Sequence, residues 1–171
     1  MFTDPVKNLK ALGLRENDIV ADLGAGTGFY SIAAGQMVPQ GKVYAVEVVK
    51  DFLATIRIKV KEARLHNVEI LLGNIEKSGG TMIGNNVADA VLVSNVLFQV
   101  ADKDQFVEEI KRILKSQGKV LLVDWSEASI MDAKNIVPKN RAREMFEKNG
   151  FVWQRDINTG VHHYGMILLK G

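Results

Sequence analysis

The chain has 171 residues, 47% of them apolar and 25% charged, with a formal net charge of +2, and a chain of this size can remove roughly 70% of its unfolded surface from water. One domain over residues 1–171 is expected, and nothing in it calls for disulfides or a structural metal. The absence of cysteine excludes a catalytic thiolate, a redox pair and any thiolate metal site. Twenty-two basic residues against 20 acidic ones leave no concentrated basic stripe, so a nucleic-acid partner is not expected.

Met1 to Lys10 contain acid and proline where a signal peptide would be apolar, and no apolar run approaches the ~18 residues of a membrane span. A cytoplasmic chain without a membrane partner is therefore expected. Asp4-Pro5 opens a short helix closed at Gly13. A strand over Ile19 to Leu23 follows, and Gly24 to Gly28 turns the chain into a helix reaching about Val38. Pro39-Gln40-Gly41 then leads into a second strand, Val43 to Val48. The next helix shows Phe52, Ile56, Val60 and Ala63 as a stripe facing a sheet, with Lys50, Arg57, Lys61 and Arg64 as a solvated face. Val68 to Leu72 is a third strand, Gly73 to Asn86 a loose loop, and Ala88 to Val93 a fourth strand. Asp102 or Asp104 caps a helix ended by Gln117-Gly118 before a strand over Lys119 to Val123. A polar helix over residues 139 to 149 precedes two last strands, Phe151 to Arg155 and Tyr164 to Leu169. Strands alternating with helices predict an α/β fold, a doubly wound, mostly parallel sheet.

The sharpest feature is Val20-Ala21-Asp22-Leu23-Gly24-Ala25-Gly26-Thr27-Gly28, a strand entering a glycine turn and then a helix. Such glycines permit a tight bend, let a ligand lie on bare backbone and leave helical N–H groups facing it. Glu47 ends the following strand, roughly 20 residues on, where a carboxylate suits the hydroxyls of a ribose. A dinucleotide fingerprint would need a third glycine at Phe29, and no Gly-Lys-Ser/Thr follows to make a phosphate loop.

These residues resemble the class I S-adenosylmethionine-dependent methyltransferases, over nearly the whole chain. Asp22 to Gly28 is similar to that family's first motif, and Gly41-Lys42-Val43-Tyr44-Ala45-Val46-Glu47 to its second strand with the ribose-binding acid. Leu72-Gly73-Asn74-Ile75-Glu76 resembles the third motif; Asn74 stands where relatives usually carry Asp, and its oxygen can still accept from an adenine amino group while Ile75 donates its N–H. Asp89 to Leu97 resembles the fourth, in which Ser94 and Asn95 meet the methionine moiety. Ile113 to Lys119 is similar to the turn before the fifth strand, with Gln117 for the usual glycine. Asp124-Trp125 and His163-Tyr164-Gly165 look like features of the type 11 methyltransferases, a group related to ubiquinone and menaquinone biosynthesis enzymes, whereas residues 126 to 137 depart from it.

The resemblance implies a seven-stranded Rossmann-like sheet with an antiparallel last strand, S-adenosylmethionine as cofactor and a small-molecule methyl acceptor. The cofactor would be held by Asp22, Gly24, Ala25, Gly26, Gly28, Glu47, Val48, Asn74, Ile75, Ser94 and Asn95. A sulfonium methyl is already activated, so the enzyme must mainly align donor and acceptor and exclude water; no metal is demanded. His163 and Tyr164, at the start of the last strand, are the candidate catalytic groups on the acceptor side. Asp22 is expected to polarise the glycine turn through backbone hydrogen bonds, Phe29 to pack in the core, and Phe2 or Tyr30 to cover the cofactor or pack. Two other readings stand beside this one: a non-catalytic cofactor-binding or regulatory module, and an RNA or protein methyltransferase, since Gly41 to Glu47 is also like fibrillarin-type enzymes.

Overall fold

The computed structural model describes residues 3–129 and 134–171; Phe2, one of the aromatic candidates, lies outside them. The element order is α1 (Pro5–Leu12), β1 (Ile19–Leu23), α2 (Phe29–Met37), β2 (Lys42–Glu47), α3 (Lys50–Glu62), β3 (Val68–Leu72), β4 (Ala88–Ser94), α4 (Lys103–Ile113), β5 (Leu114–Trp125), α5 (Lys139–Glu147), β6 (Phe151–Ile157) and β7 (His163–Lys170). The termini of α1 follow from local chemistry. The Asp4 carboxylate accepts from the Lys7 N–H, and Gly13 adopts the left-handed conformation that donates back to Leu9 and Lys10.

The strands form one seven-stranded sheet in the order β3-β2-β1-β4-β5-β7-β6. β7 runs antiparallel to both β5 and β6, and the remaining neighbours are parallel. Apolar strands such as β4, whose Ala90, Val91, Leu92 and Val93 are all buried, are what a sheet covered on both faces requires. Alternate residues serve the two faces: Val91 and Val93 join Phe106, Ile110 and Phe146 on one side, and Ala90 and Leu92 join Leu9, Leu12 and Ala34 on the other. Order reverses between β1 and β4, so the carboxyl ends of β1, β2 and β4 splay around a crevice, the place where open α/β sheets take ligands.

Three sequence expectations are corrected. α4 ends at Ile113 rather than at Gln117-Gly118, because Leu114 already pairs with Ala88; the sheet register then shifts and resumes at Ala90 and Lys119, with Gln117 at a φ of 64°. The core stripe of α3 is Leu53 and Ile56, while Phe52 is 39% exposed. The stretch from Gly73 to Asn86 is not loose: Glu109 reaches from α4 to accept from the N–H groups of Gly79 and Thr81 and from the Thr81 hydroxyl, and Arg112 braces the same carboxylate. Burial would raise the pKa of Glu109, yet these hydrogen bonds, Arg112 foremost, hold it at about 2.

Candidate functional site

The crevice is a cavity of about 810 Å³ bounded by the glycine turn, the ends of β2 and β4, the loop after β3 and the start of α1. Ten of the eleven residues expected to hold a cofactor come together on its wall: Asp22, Gly24, Ala25, Gly26, Glu47, Val48, Asn74, Ile75, Ser94 and Asn95. The eleventh, Gly28, sits one step behind as the N-cap of α2. Its left-handed backbone starts the helix without a side-chain cap, and a Cβ there would press on Ile56 Cγ1 at 3.0 Å.

The turn is held by its neighbours. Gly24 and Ala25 donate to the Val46 carbonyl at 2.9 and 3.0 Å, Gly28 donates to Ala25, and Gly26 donates to Glu47 Oε2 at 2.9 Å. Those four N–H groups are therefore spent inside the fold rather than offered to a ligand, a correction to the expected cradle. What the turn offers is bare Cα surface at positive φ. A Cβ on Gly24 would meet Val96 Cγ2 at 2.9 Å, whereas one on Gly26 would meet nothing within 4 Å and would project into open space.

Glu47 is buried at the tip of β2, and its other oxygen accepts from Val48 and Val49 N–H at 2.8 and 3.0 Å. Three of its roughly four acceptor sites are thus filled by backbone, which locks the carboxylate in one orientation on the cavity wall. Asp22 is also buried, but its partner is the Ser31 hydroxyl at 2.6 Å in the first turn of α2, not the glycine turn. Burial, aided by the nearby charge of Glu47 and opposed by Ser31, pushes its pKa up to about 6. Asn74 Oδ1 accepts from Glu76 N–H at 2.9 Å and shapes the loop after β3. Asn95 adopts a φ of 56°, donates its N–H to Val123 and leaves Oδ1 buried with no partner among the described residues.

The acceptor-side candidates lie on the adjoining strand tips and do not line this cavity. Tyr164 is buried and donates its hydroxyl to the Val137 carbonyl at 3.0 Å; burial, then the charge of Asp124, raises its pKa well above the usual phenol range. His163 is buried against Trp125, ring centroids 4.1 Å apart, and burial lowers its pKa. Its Nε2 and Trp125 Nε1 have no hydrogen-bond partner among the described residues. Asp124 is a brace: it accepts from Val96, Leu97 and Trp125 N–H and fixes the loop that follows β4.

Sequence reading missed several wall residues. Phe29, expected in the core, is 64% exposed at the cavity with Lys59 Nζ 3.9 Å from its ring centroid. Phe52, Val49, Glu76 and Gln99 also line the cavity. A signal for Phe52 existed, since Leu53 and Ile56, one turn apart, already fill the core face of α3.

A family model described as a methyltransferase domain matches residues 14–158. The chain belongs to that family, the class I S-adenosylmethionine-dependent methyltransferases. A crystal structure of an S-adenosylmethionine-dependent methyltransferase from Aquifex aeolicus is similar to it, with a TM-score of 0.89 at 27% identity, covering 99% of this chain and 91% of that one. The demethylmenaquinone methyltransferase of Listeria welshimeri is 30% identical over 131 residues, 76% of this chain and 54% of the relative. Its counterpart in Geobacillus sp. is 27% identical over 129 residues, 75% of this chain and again 54% of the relative. The chain spans about half the length of the curated relatives it matches.

Proposed function

We propose that the protein transfers a methyl group from S-adenosylmethionine to a small acceptor of the hydroxylated aromatic, quinol-like class. The observation that carries the first half is the locked Glu47 carboxylate beside the bare backbone of Gly24 and Gly26 on one cavity wall. The second half draws on the two demethylmenaquinone methyltransferases that the chain resembles.

The residues present fit the cofactor: an acid for ribose hydroxyls, a Cβ-free turn, and a cavity within the usual range for ligand pockets, roughly 300–1,000 Å³. When bound, the sulfonium supplies an activated methyl. The chain's own part is to hold and to shield. Glu47 accepts from the sugar with its remaining acceptor site. Val48, Phe52 and Ile75 give apolar walls for a flat base, and Asn74 and Ile75 sit where its edge would be read. Ser94 and Asn95 position the amino-acid end, on a loop that Asp124 holds rigid. His163, stacked on Trp125 behind the cavity wall, and Tyr164, which holds the segment around Val137, shape the acceptor side from the adjoining strand tips. Alignment and exclusion of water then supply the acceleration.

The test is release of S-adenosylhomocysteine across a panel of reduced naphthols, benzenediols, RNA and peptides. Turnover is expected with an aromatic hydroxyl compound. Tight cofactor binding with silence toward every acceptor would favour the non-catalytic module instead.

A further inference from the structure

A second concave surface lies far along α3 from the cofactor cavity. It is a groove of about 500 Å³ between the last turns of α3 and the free edge of β3, which pairs with β2 alone. Val60, Leu65 and Ile70 line it as an aliphatic floor, with Arg57, Lys61 and Arg64 as cationic walls and His66 at the end. The three strong cations recur at helical spacing on one flank, and none of them is in an ion pair among the described residues. Over α3 and its C-terminal turn, five cations (Lys50, Arg57, Lys59, Lys61 and Arg64) face only two acids, Asp51 and Glu62.

Interaction with the helix dipole accounts for cations in the last turn, but not for Arg57 nor for an aliphatic floor left open between them. Arg64 adds a second observation. It holds a φ of 53°, the left-handed position after a helix where glycine is favoured, so a cation is kept where the backbone would prefer none. Beside the groove, Ile58 on α3 and Leu72 on β3 are 59% and 54% exposed, and neither lines the cofactor cavity. Leu72 shares a strand face with Ile70. Exposed aliphatic side chains flanked by unpaired cations are the composition of a surface that lies on an anionic bilayer. Nucleic acid is disfavoured, because the groove offers a base only the His66 imidazole at one end, and no Phe, Tyr or Trp, to stack on.

We infer that the α3–β3 face docks the protein on an anionic phospholipid membrane, with Arg57, Lys61 and Arg64 meeting headgroup phosphates and Ile58 and Leu72 entering the interface. The inference stands apart from the methyl-transfer reading. Should both hold, the same helix brings Phe52 and Val49, at the cavity wall, toward an acceptor dissolved in lipid.

The test is co-sedimentation with vesicles of phosphatidylcholine containing phosphatidylglycerol, and with phosphatidylcholine alone. Binding is expected to the anionic vesicles, to weaken as salt rises, and to fall about tenfold or more in Arg57→Glu/Lys61→Glu/Arg64→Glu. Ile58→Ser/Leu72→Ser is expected to weaken it at high salt, where charge is screened. A charge-matched control, Lys7→Glu/Lys10→Glu/Lys77→Glu, is expected to bind like the unmodified protein. Unchanged S-adenosylhomocysteine binding in each variant shows that it is folded and leaves the methyltransferase reading separate. No vesicle binding, equal loss in the control, or tighter binding to polyuridylate than to vesicles would each overturn the proposal.

Discussion

Asp22 and Glu109 are both buried carboxylates, the first tying β1 to α2 and the second tying α4 to the loop after β3, and their chemistry runs in opposite directions. Asp22 has only Ser31 as a donor, through its hydroxyl and its backbone N–H, with a like charge nearby, and burial raises its pKa to about 6. Glu109 has a guanidinium, a hydroxyl and two backbone N–H groups, and its pKa falls to about 2. Burial penalises both; the number of donors decides which effect wins. The first region is left short of partners on a cavity wall, the second is saturated and closed. Asp22 faces the crevice, whereas the Glu109 cluster holds the frame of the loop after β3.

That contrast breaks most readily at Glu109. Glu109→Ala leaves Arg112, Thr81 and Gly79 without their common acceptor, and about 3 kcal/mol of stability is expected to go in denaturant titrations. Cofactor affinity should fall as well, by less than stability does, because Gly79 and Thr81 flank Gly80, whose carbonyl accepts from the Asn74 N–H on the cavity wall. Glu47→Ala also frees three backbone N–H groups and so lowers stability, but here S-adenosylhomocysteine affinity falls too, by about 1.5 to 3 kcal/mol, roughly ten- to a hundredfold in calorimetry. Tyr164→Phe, which forfeits one buried hydrogen bond to Val137, should cost about 1 kcal/mol in thermal unfolding.

The two carboxylates also predict opposite pH dependences. With a folded pKa below the ordinary 4.5, Glu109 contributes its stabilisation above that value and loses it as pH falls toward about 2. Asp22, raised from 3.8 to about 6, makes the fold less stable as pH climbs through that interval. Ser31→Ala removes the hydroxyl that lowers the Asp22 pKa, so its carboxyl resonance should titrate at still higher pH. This is the smallest effect, and an unchanged titration would show that the Ser31 hydroxyl is not the partner that matters.

How much of this was legible in the sequence follows the same division. The glycine turn, Glu47 at the tip of β2 and the strand alternation are local patterns, and the structure brings those residues to one crevice as their spacing implied. The Glu109 cluster is not local: its members lie on a loop and a helix that only the completed sheet brings together, so the glycines around residue 80 read as slack. Phe29 misled because an aromatic residue opening an apolar helix reads as core, whereas the turn before it swings that position toward the cavity. The start of β5 was hidden by Gln117-Gly118, a turn signal that falls inside the strand at a register shift.

The most direct measurement is a crystal structure with S-adenosylhomocysteine bound. The account predicts the nucleoside in the crevice, ribose hydroxyls within hydrogen-bond distance of Glu47, and the amino-acid chain passing over Gly24 and Gly26 toward Ser94. A nucleoside bound elsewhere, with Glu47 still engaged only by Gly26, Val48 and Val49, would contradict it.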